Sequence, residues 1–522
     1  MRKFIVLSLL GILLIFSGIS FSDGLSVKVD PRIEALSILN YMAGISKWPV
    51  NGEFVQYKED VDEYFLKSHK RKHPAIDMIQ LLKTFGFKDE APYLLLLHLS
   101  NDFKFMYPKK SYIEISKGIG IPTGALKEAL LKKFIFEFKA YYYDYKFEDF
   151  YKNHKSFYEN LENNVKDLLP IDLVSVLEGF FKAASLDYNI FISPASPENY
   201  GLYIRTPYGF ESFAIMKLPF IPDTERAKLE YVYQIIKELV RSFVEPIDYG
   251  YTEEIKKLKR IASYNMVQSK TSTYKLVNEI IVSSVASHLM KVLYSDREEA
   301  WAIVKEEMKG YYLVRPLAKF LEKYYRDLDK YKNFAQFYPE ILSYLNRINK
   351  GKVKIEIPQS MGSLLKKIGK KKGIVLVVSN SLSRSIDMWI DGERDRLKKK
   401  GYNVVKVSKE EYLSKVEKYK TRVPIFYLLP SDLEDFVSSF VPNIEISKFG
   451  IGFLGFKYNG EYLLMGRFPN PFIKQQDLLL VTFNDEEILK KVDIFDYLPL
   501  NYVILNERLE VVQGGFQKFR IR

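Results

Sequence analysis

From Pro31 to about Ala183, apolar residues recur at three- and four-residue spacing. The pattern predicts helices over Ile33–Ala43, Ala75–Phe85, Leu126–Tyr143 and Leu168–Phe181. It is interrupted at the Lys-rich stretch Lys67–His73 before Pro74 and at Gly118–Pro122. The period then changes: Tyr188–Ile192, Gly201–Arg205 and Phe213–Leu218 read as short strands, the first two separated by the turn Ser193–Tyr200. Helical spacing returns from about Glu225 to Leu345. A small sheet set among helices is an α+β pattern.

Between Asn349 and Gly373, Lys, Gly and Ser are dense and periodicity is poor, which marks a linker. Beyond it Ile374–Val378 is an unbroken, mostly β-branched run, Arg384–Lys400 is an amphipathic helix stopped by Gly401, and Val404–Val407 is a second strand. Together they read as a βαβ unit with a parallel pair. A third strand, Ile425–Leu429, leads into a helix whose start is marked by Ser431 and Glu434, the ends of a capping box. Further strands are expected at Ile451–Phe456, Tyr462–Met465, Leu478–Val481 and Tyr502–Leu505. The expected organisation is a signal segment (1–22), a mostly helical domain with a small sheet (23–348), a linker (349–373) and an α/β domain with a partly parallel sheet (374–522).

The signal reading comes from Arg2 and Lys3, the uncharged apolar run Phe4–Phe16, and small residues Ser20 and Ser22 before the polar Asp23-Gly24. The apolar run is shorter than the about 20 residues of a permanent span. Cleavage is expected after Ser22, giving a secreted or periplasmic protein with no stable membrane span. Cysteine is absent, so neither a disulfide framework nor a lipoprotein-type attachment is available and the core must hold the fold. Apolar residues make up 47% and aromatics 15% of the chain, enough for more than one core. The formal charge is +13, and +11 without Arg2 and Lys3. Such a surface suits acidic proteins or anionic envelope polymers. Export and the even spread of Lys argue against nucleic acid.

Histidine is scarce: His69, His73, His98, His154 and His288. His69 and His73 are four apart, but they lie in a Lys/Arg-rich turn where like charges oppose a metal. No nucleophile elbow, P-loop or dinucleotide fingerprint is present. The loop Ser379-Asn380-Ser381 follows the first strand of the α/β domain, where open sheets bind ligands. It reads more simply as an ordinary strand-to-helix turn capped by Ser383.

The most informative segment is Tyr231–Pro246. Leu229, Val232, Ile236, Leu239, Val240 and Phe243 make one helical stripe, with Glu230, Gln234, Lys237, Glu238 and Arg241 on the other side. Here Lys237-Glu238-Leu239-Val240-Arg241-Ser242-Phe243-Val244-Glu245-Pro246 resembles the H-E-F-x-H-S-F-x-x-P segment of an uncharacterised family of exported zinc metallopeptidase-like proteins of the gluzincin type. Glu238, Ser242, Phe243 and Pro246 match, and both histidines are replaced. Val29-Asp-Pro-Arg-Ile-Glu34, His73-Pro-Ala75, Asn199-Tyr-Gly201 and Asn278-Glu-Ile-Ile-Val282 also resemble that family, which extends the similarity over Val27–Leu345.

The resemblance implies a degenerate metal site at Lys237, Arg241 and Glu279, with Glu238 a relic of the catalytic glutamate. A zinc peptidase needs two neutral imidazoles at i and i+4, a third ligand and a glutamate for the metal-bound water. Lys and Arg are cationic and cannot supply the first two. An ion-pair cluster is therefore expected where the metal would have been, with no metal and no cofactor. Without the flanking matches, the same charges fit the polar face of any surface helix. The function expected is non-catalytic binding of a peptide, protein or envelope component. The alternative is an active hydrolase with its site in the α/β domain or at a non-standard metal centre.

Overall fold

The computed structural model describes residues 24–48, 55–67, 73–106, 125–206, 208–217, 225–264, 272–353, 355, 361, 364, 373–433, 444–453, 456–473, 476–492, 500–509 and 511–515. The expected signal segment, His69, Gly118–Pro122, Glu434 and most of the expected linker lie outside these residues. The fold is α+β. Two compact units are present. One comprises the chain up to Lys259 with Ser272–Glu299 and Leu317–Asn346; the other comprises Arg260–Thr271, Ala300–Pro316 and the chain from Arg347. The last exchange, at Asn346 and Arg347, falls beside the expected linker. Residues 300–316 join the second unit, where Val304 is buried in a core with Ile374 and Leu463. Helical periodicity reveals an apolar face but not its partner.

The first unit carries a four-stranded sheet of order β1-β2-β4-β3, formed by β1 (Leu25–Lys28), β2 (Tyr188–Ser193), β3 (Tyr200–Thr206) and β4 (Gly209–Lys217). The strands β1, β2 and β4 are parallel to one another, and β3 runs antiparallel to β4 at the edge. Helix α1 (Pro31–Met42) follows β1 directly. Its start is fixed by Asp30, whose carboxylate accepts from Arg32 N at 2.9 Å, and by Pro31 at the first helical position. The run Leu168–Phe181 is not continuous: one helix ends at Leu168, Leu169 is extended (ψ 136°), and α2 (Leu173–Phe181) restarts after Pro170. Proline disfavours helical geometry in the residue before it.

Two long helices complete the framework of this unit. Helix α3 (Glu225–Asp248) packs on β3 and β4, and α4 (Thr273–Leu293) packs on α3. By length and composition α4 could cross a membrane, but 78% of its apolar window is buried inside the protein. An all-round apolar helix in a core reads the same way.

In the second unit β5 (Ile374–Val378), β6 (Val404–Ser408), β7 (Val423–Leu428), β11 (Tyr462–Pro469), β12 (Asp477–Phe483), β13 (Tyr502–Asn506) and β14 (Val511–Gly515) form one sheet of order β14-β13-β11-β12-β7-β5-β6. The strands β12, β7, β5 and β6 are parallel. The unbroken run of β5 follows from burial on both faces. Ile374, Leu376 and Val378 meet Ile386 and Ile390 of α5 (Arg384–Lys399), while Val375 and Val377 face a second core with Phe426 and Tyr462. The segment expected as one strand at Ile451–Phe456 is instead two, β9 (Gly450–Phe453) and β10 (Phe456–Asn459), in a three-stranded meander with β8 (Ile444–Ser447). Ser431 does not cap the helix after β7. It lies within Pro430–Leu433, and Asp432 accepts from Leu429 N at 3.0 Å.

Candidate functional site

On α3 the expected apolar positions are buried: Val232, Ile236, Leu239, Val240 and Phe243. The polar side is buried as well, with Lys237 3% and Glu238 5% exposed, so this is not the solvated face of a surface helix. The cause is a close approach by the edge strand. A Cβ on Gly201 would stand 2.2 Å from the carbonyl oxygen of Glu238 and 2.8 Å from the Cβ of Arg241, so only glycine allows β3 to lie this near α3. Its neighbours hold it there. Asn199 Oδ1 accepts from Lys217 N at 2.9 Å, and the Tyr200 ring packs on Tyr93 with centroids 5.0 Å apart.

The four charged residues singled out by the sequence come together. Lys237 Nζ lies 2.6 Å from Glu279 Oε1, and Arg241 Nη2 lies 2.9 Å from Glu279 Oε2. Arg241 Nε donates to Glu238 Oε2 at 2.8 Å. Each oxygen of Glu279 thus faces one cation, and the two cations sit one helical turn apart. Burial alone pushes the Glu279 carboxyl up, but Lys237 and Arg241 together hold it well below the usual carboxylate range. Burial works against the charge of Arg241, yet Glu238 and Glu279 raise its pKa well above the ordinary arginine value.

The network extends beyond those four. Arg241 Nη1 donates to Asn278 Oδ1 at 3.0 Å, and Asn278 Nδ2 donates to Asp248 Oδ2 at 2.5 Å. Tyr338 OH donates to the other oxygen of Asp248. Burial raises the Asp248 carboxyl to about 7 despite these donors. Glu245, one turn beyond Arg241, is also raised to about 7 by burial, opposed by Arg241 and Lys88, and accepts no hydrogen bond among the described residues. Asn278 carried a signal, because a lone amide in an apolar helix requires partners. Asp248 and Tyr338 carried none.

The other matched motifs are structural. In the segment Val29–Glu34, Asp30 caps α1 and pairs with Arg32 at 2.6 Å. Glu34 is fully buried, accepting from Tyr57 OH at 2.7 Å, from Ala195 N at 3.3 Å and from Ser193. His73 caps the helix Pro74–Thr84 through Nδ1, which accepts from Ala75 N at 3.1 Å. His154 Nε2 lies 3.0 Å from Asp60 and His288 Nδ1 3.3 Å from Glu299. In the second unit, Ser379 Oγ accepts from Ser381 N at 3.0 Å and Ser383 caps α5, accepting from Ile386 N at 3.3 Å. That loop is built as a strand-to-helix turn.

The residues on α3 and α4 do not fit zinc. Lys237 and Arg241 are cationic donors, and both oxygens of the one matched carboxylate ligand, Glu279, are taken up by them. Among the described residues no group of three or more His, Cys, Asp or Glu is placed to share a metal ion.

Beside this cluster β3 is the edge of the sheet, and among the described residues no other strand pairs with it there. Ser212 N donates to Asp187 O and Phe210 O accepts from Leu186 N, so both residues direct their backbone groups away from β3. Their register partners, Tyr203 and Arg205, are therefore non-hydrogen-bonded pairs whose N–H and C=O groups point off the free edge.

The sequence profile of a family described as "Domain of unknown function (DUF4932)" matches residues 25–344. Comparison with curated proteins and with solved structures yields no match.

Proposed function

The chain belongs to the DUF4932 family, and from that premise we propose that it is an exported, non-catalytic binding protein. Its scaffold would be metallopeptidase-like, of the gluzincin type, with an ion-pair cluster in place of a zinc ion. The observation that carries this reading is the pairing of both Glu279 oxygens with cations at i and i+4 of α3. Two formal charges of +1 neutralise the carboxylates that a divalent ion would otherwise have neutralised. Electrostatic need is met without an open coordination position, and a zinc-bound water cannot form on these donors. The free edge of β3 beside the cluster supports a peptide or protein segment as the ligand, since strand addition supplies main-chain hydrogen bonds of its own. The basic surface left after export favours acidic partners or anionic envelope polymers.

The test is retention without turnover. Purified protein is incubated with a mixture of defined peptides and with anionic wall polymer, and bound and free fractions are analysed by mass spectrometry. Intact ligand should be retained, and neither zinc nor a chelator should change the outcome. Cleavage products would contradict the reading. A hydrolase with its site on α3, rather than in the α/β domain or at a metal centre, has one observation of its own, the half-buried Glu245, whose carboxyl burial raises to about 7. Turnover that disappears in Glu245→Gln would favour it.

A further inference from the structure

A cavity of about 210 Å³ lies between the C-terminal third of α3, the end of α2 and the turn end of the β3–β4 hairpin. Its walls are aromatic: Phe181, Tyr203, Phe210, Phe243 and Phe334. Phe181 and Phe243 stack 4.4 Å apart at 8°, and Phe210 meets Phe243 edge-on at 5.1 Å. An apolar cavity of about 150 Å³ accepts a benzene-sized ring. This one has room for a single aromatic side chain.

Two further observations say what brings such a side chain there. Arg205 lies at the cavity, is exposed, and makes no ion pair among the described residues. A cation left unpaired beside an apolar cavity complements a carboxylate on the ligand. Secondly, Tyr203 and Arg205 are two residues whose backbone groups point off the edge of β3, and their side chains share one face of the sheet. A chain that adds antiparallel to this edge places its residue n opposite Arg205 and its residue n+2 opposite Tyr203. Both side chains then fall on the cavity face. At the hairpin turn Tyr208 is 87% exposed, and Leu186, which lies beside Gly209, is 46% exposed.

We infer that this cavity is a side-chain subsite for an extended peptide segment of the form acidic-x-aromatic, with the aromatic ring in the cavity and the carboxylate on Arg205. The inference rests on the non-catalytic binding reading and specifies its ligand. It uses none of the residues of the charge cluster.

The experiment is panning of a displayed library of random twelve-residue peptides on the purified protein. Fluorescence anisotropy then follows with one enriched peptide, with its aromatic residue changed to Ala and with its acidic residue changed to Lys. The expected enrichment is acidic-x-aromatic, and each change should weaken binding about tenfold or more. Arg205→Glu, at an exposed position, should weaken the acidic peptide by a similar factor and restore binding of the Lys peptide. Ala335→Trp, at an exposed position lining the cavity, should block both. Peptides that bind intact with neither feature, or an affinity unmoved by Arg205→Glu, would overturn the subsite alone. Binding of wall polymer with no peptide enriched would also overturn it, while leaving non-catalytic binding in place. Cleavage of the bound peptides would overturn the reading on which it rests.

Discussion

Glu279→Gln removes one negative charge with almost no change of shape, and it takes from Lys237 and Arg241 the carboxylate they share. The side chains are 4% exposed for Lys237, 17% for Arg241 and 21% for Glu279. Breaking a buried ion pair destabilises by about 3–5 kcal/mol, because the remaining charge stays desolvated. A surface pair contributes about 1 kcal/mol or less. Glu279 is one-fifth exposed, so the expected loss lies near the lower end of the buried range, about 3 kcal/mol. Lys237→Met should also destabilise, but the double variant should be less destabilised than the sum, by at least about 1 kcal/mol, as contacting charges require. The assay is urea unfolding followed by circular dichroism and by tryptophan fluorescence, two probes being needed because two units need not unfold together. The Glu279 carboxyl is held below its unfolded value, so its contribution is present above pH 4.5 and is lost as pH falls below that. The gap between wild type and Glu279→Gln should therefore narrow in acid. Losses under about 1 kcal/mol that simply add would refute the reasoning.

Glu34 gives the opposite pH dependence. Burial raises it from 4.5 to about 7, so its contribution is present below pH 4.5 and is lost as pH rises through 7. Thermal melts should show stability falling from pH 5 to pH 7.5, and Glu34→Gln should flatten that slope; an unchanged slope would count against it. Gly201→Ala should destabilise by about 3 kcal/mol in denaturant titration, since its Cβ would meet backbone at 2.2 Å, whereas an unaltered midpoint would deny the close approach. Asp30→Ala removes the α1 cap, about 1 kcal/mol, and strands the buried Arg32. Chemical denaturation should therefore show a loss well beyond that of the cap alone.

What the sequence made legible was local pattern and chemical need. The strands at Tyr188–Ile192 and Gly201–Arg205 are marked by a change of period, and a carboxylate within the apolar run Leu276–Leu293 required a cation wherever the chain went. Which four positions on two helices would meet that need came from the resemblance to the metallopeptidase-like segments, not from the need itself. Strand β1 was not legible, because four residues with one buried position make no periodic signal. Neither was the division of Ile451–Phe456 between β9 and β10, because apolar residues and glycine run through that segment without a polar break. The burial of Lys237 and Glu238 depends on how closely β3 approaches, which Gly201 permits but does not announce. Tyr338 reaches Asp248 from 90 residues away, and no spacing rule connects them.

The most direct measurement of the central claim is zinc binding to the double variant Lys237→His/Arg241→His, by isothermal titration and by metal analysis after gel filtration, beside the wild type. If cations have taken over the neutralising role of a metal, the wild type takes up no stoichiometric zinc. The variant binds one ion per chain with Glu279 as third ligand, and loses it when Glu279 is also changed to Gln. One tightly held zinc in the wild type, or no uptake by the histidine variant, would contradict the account.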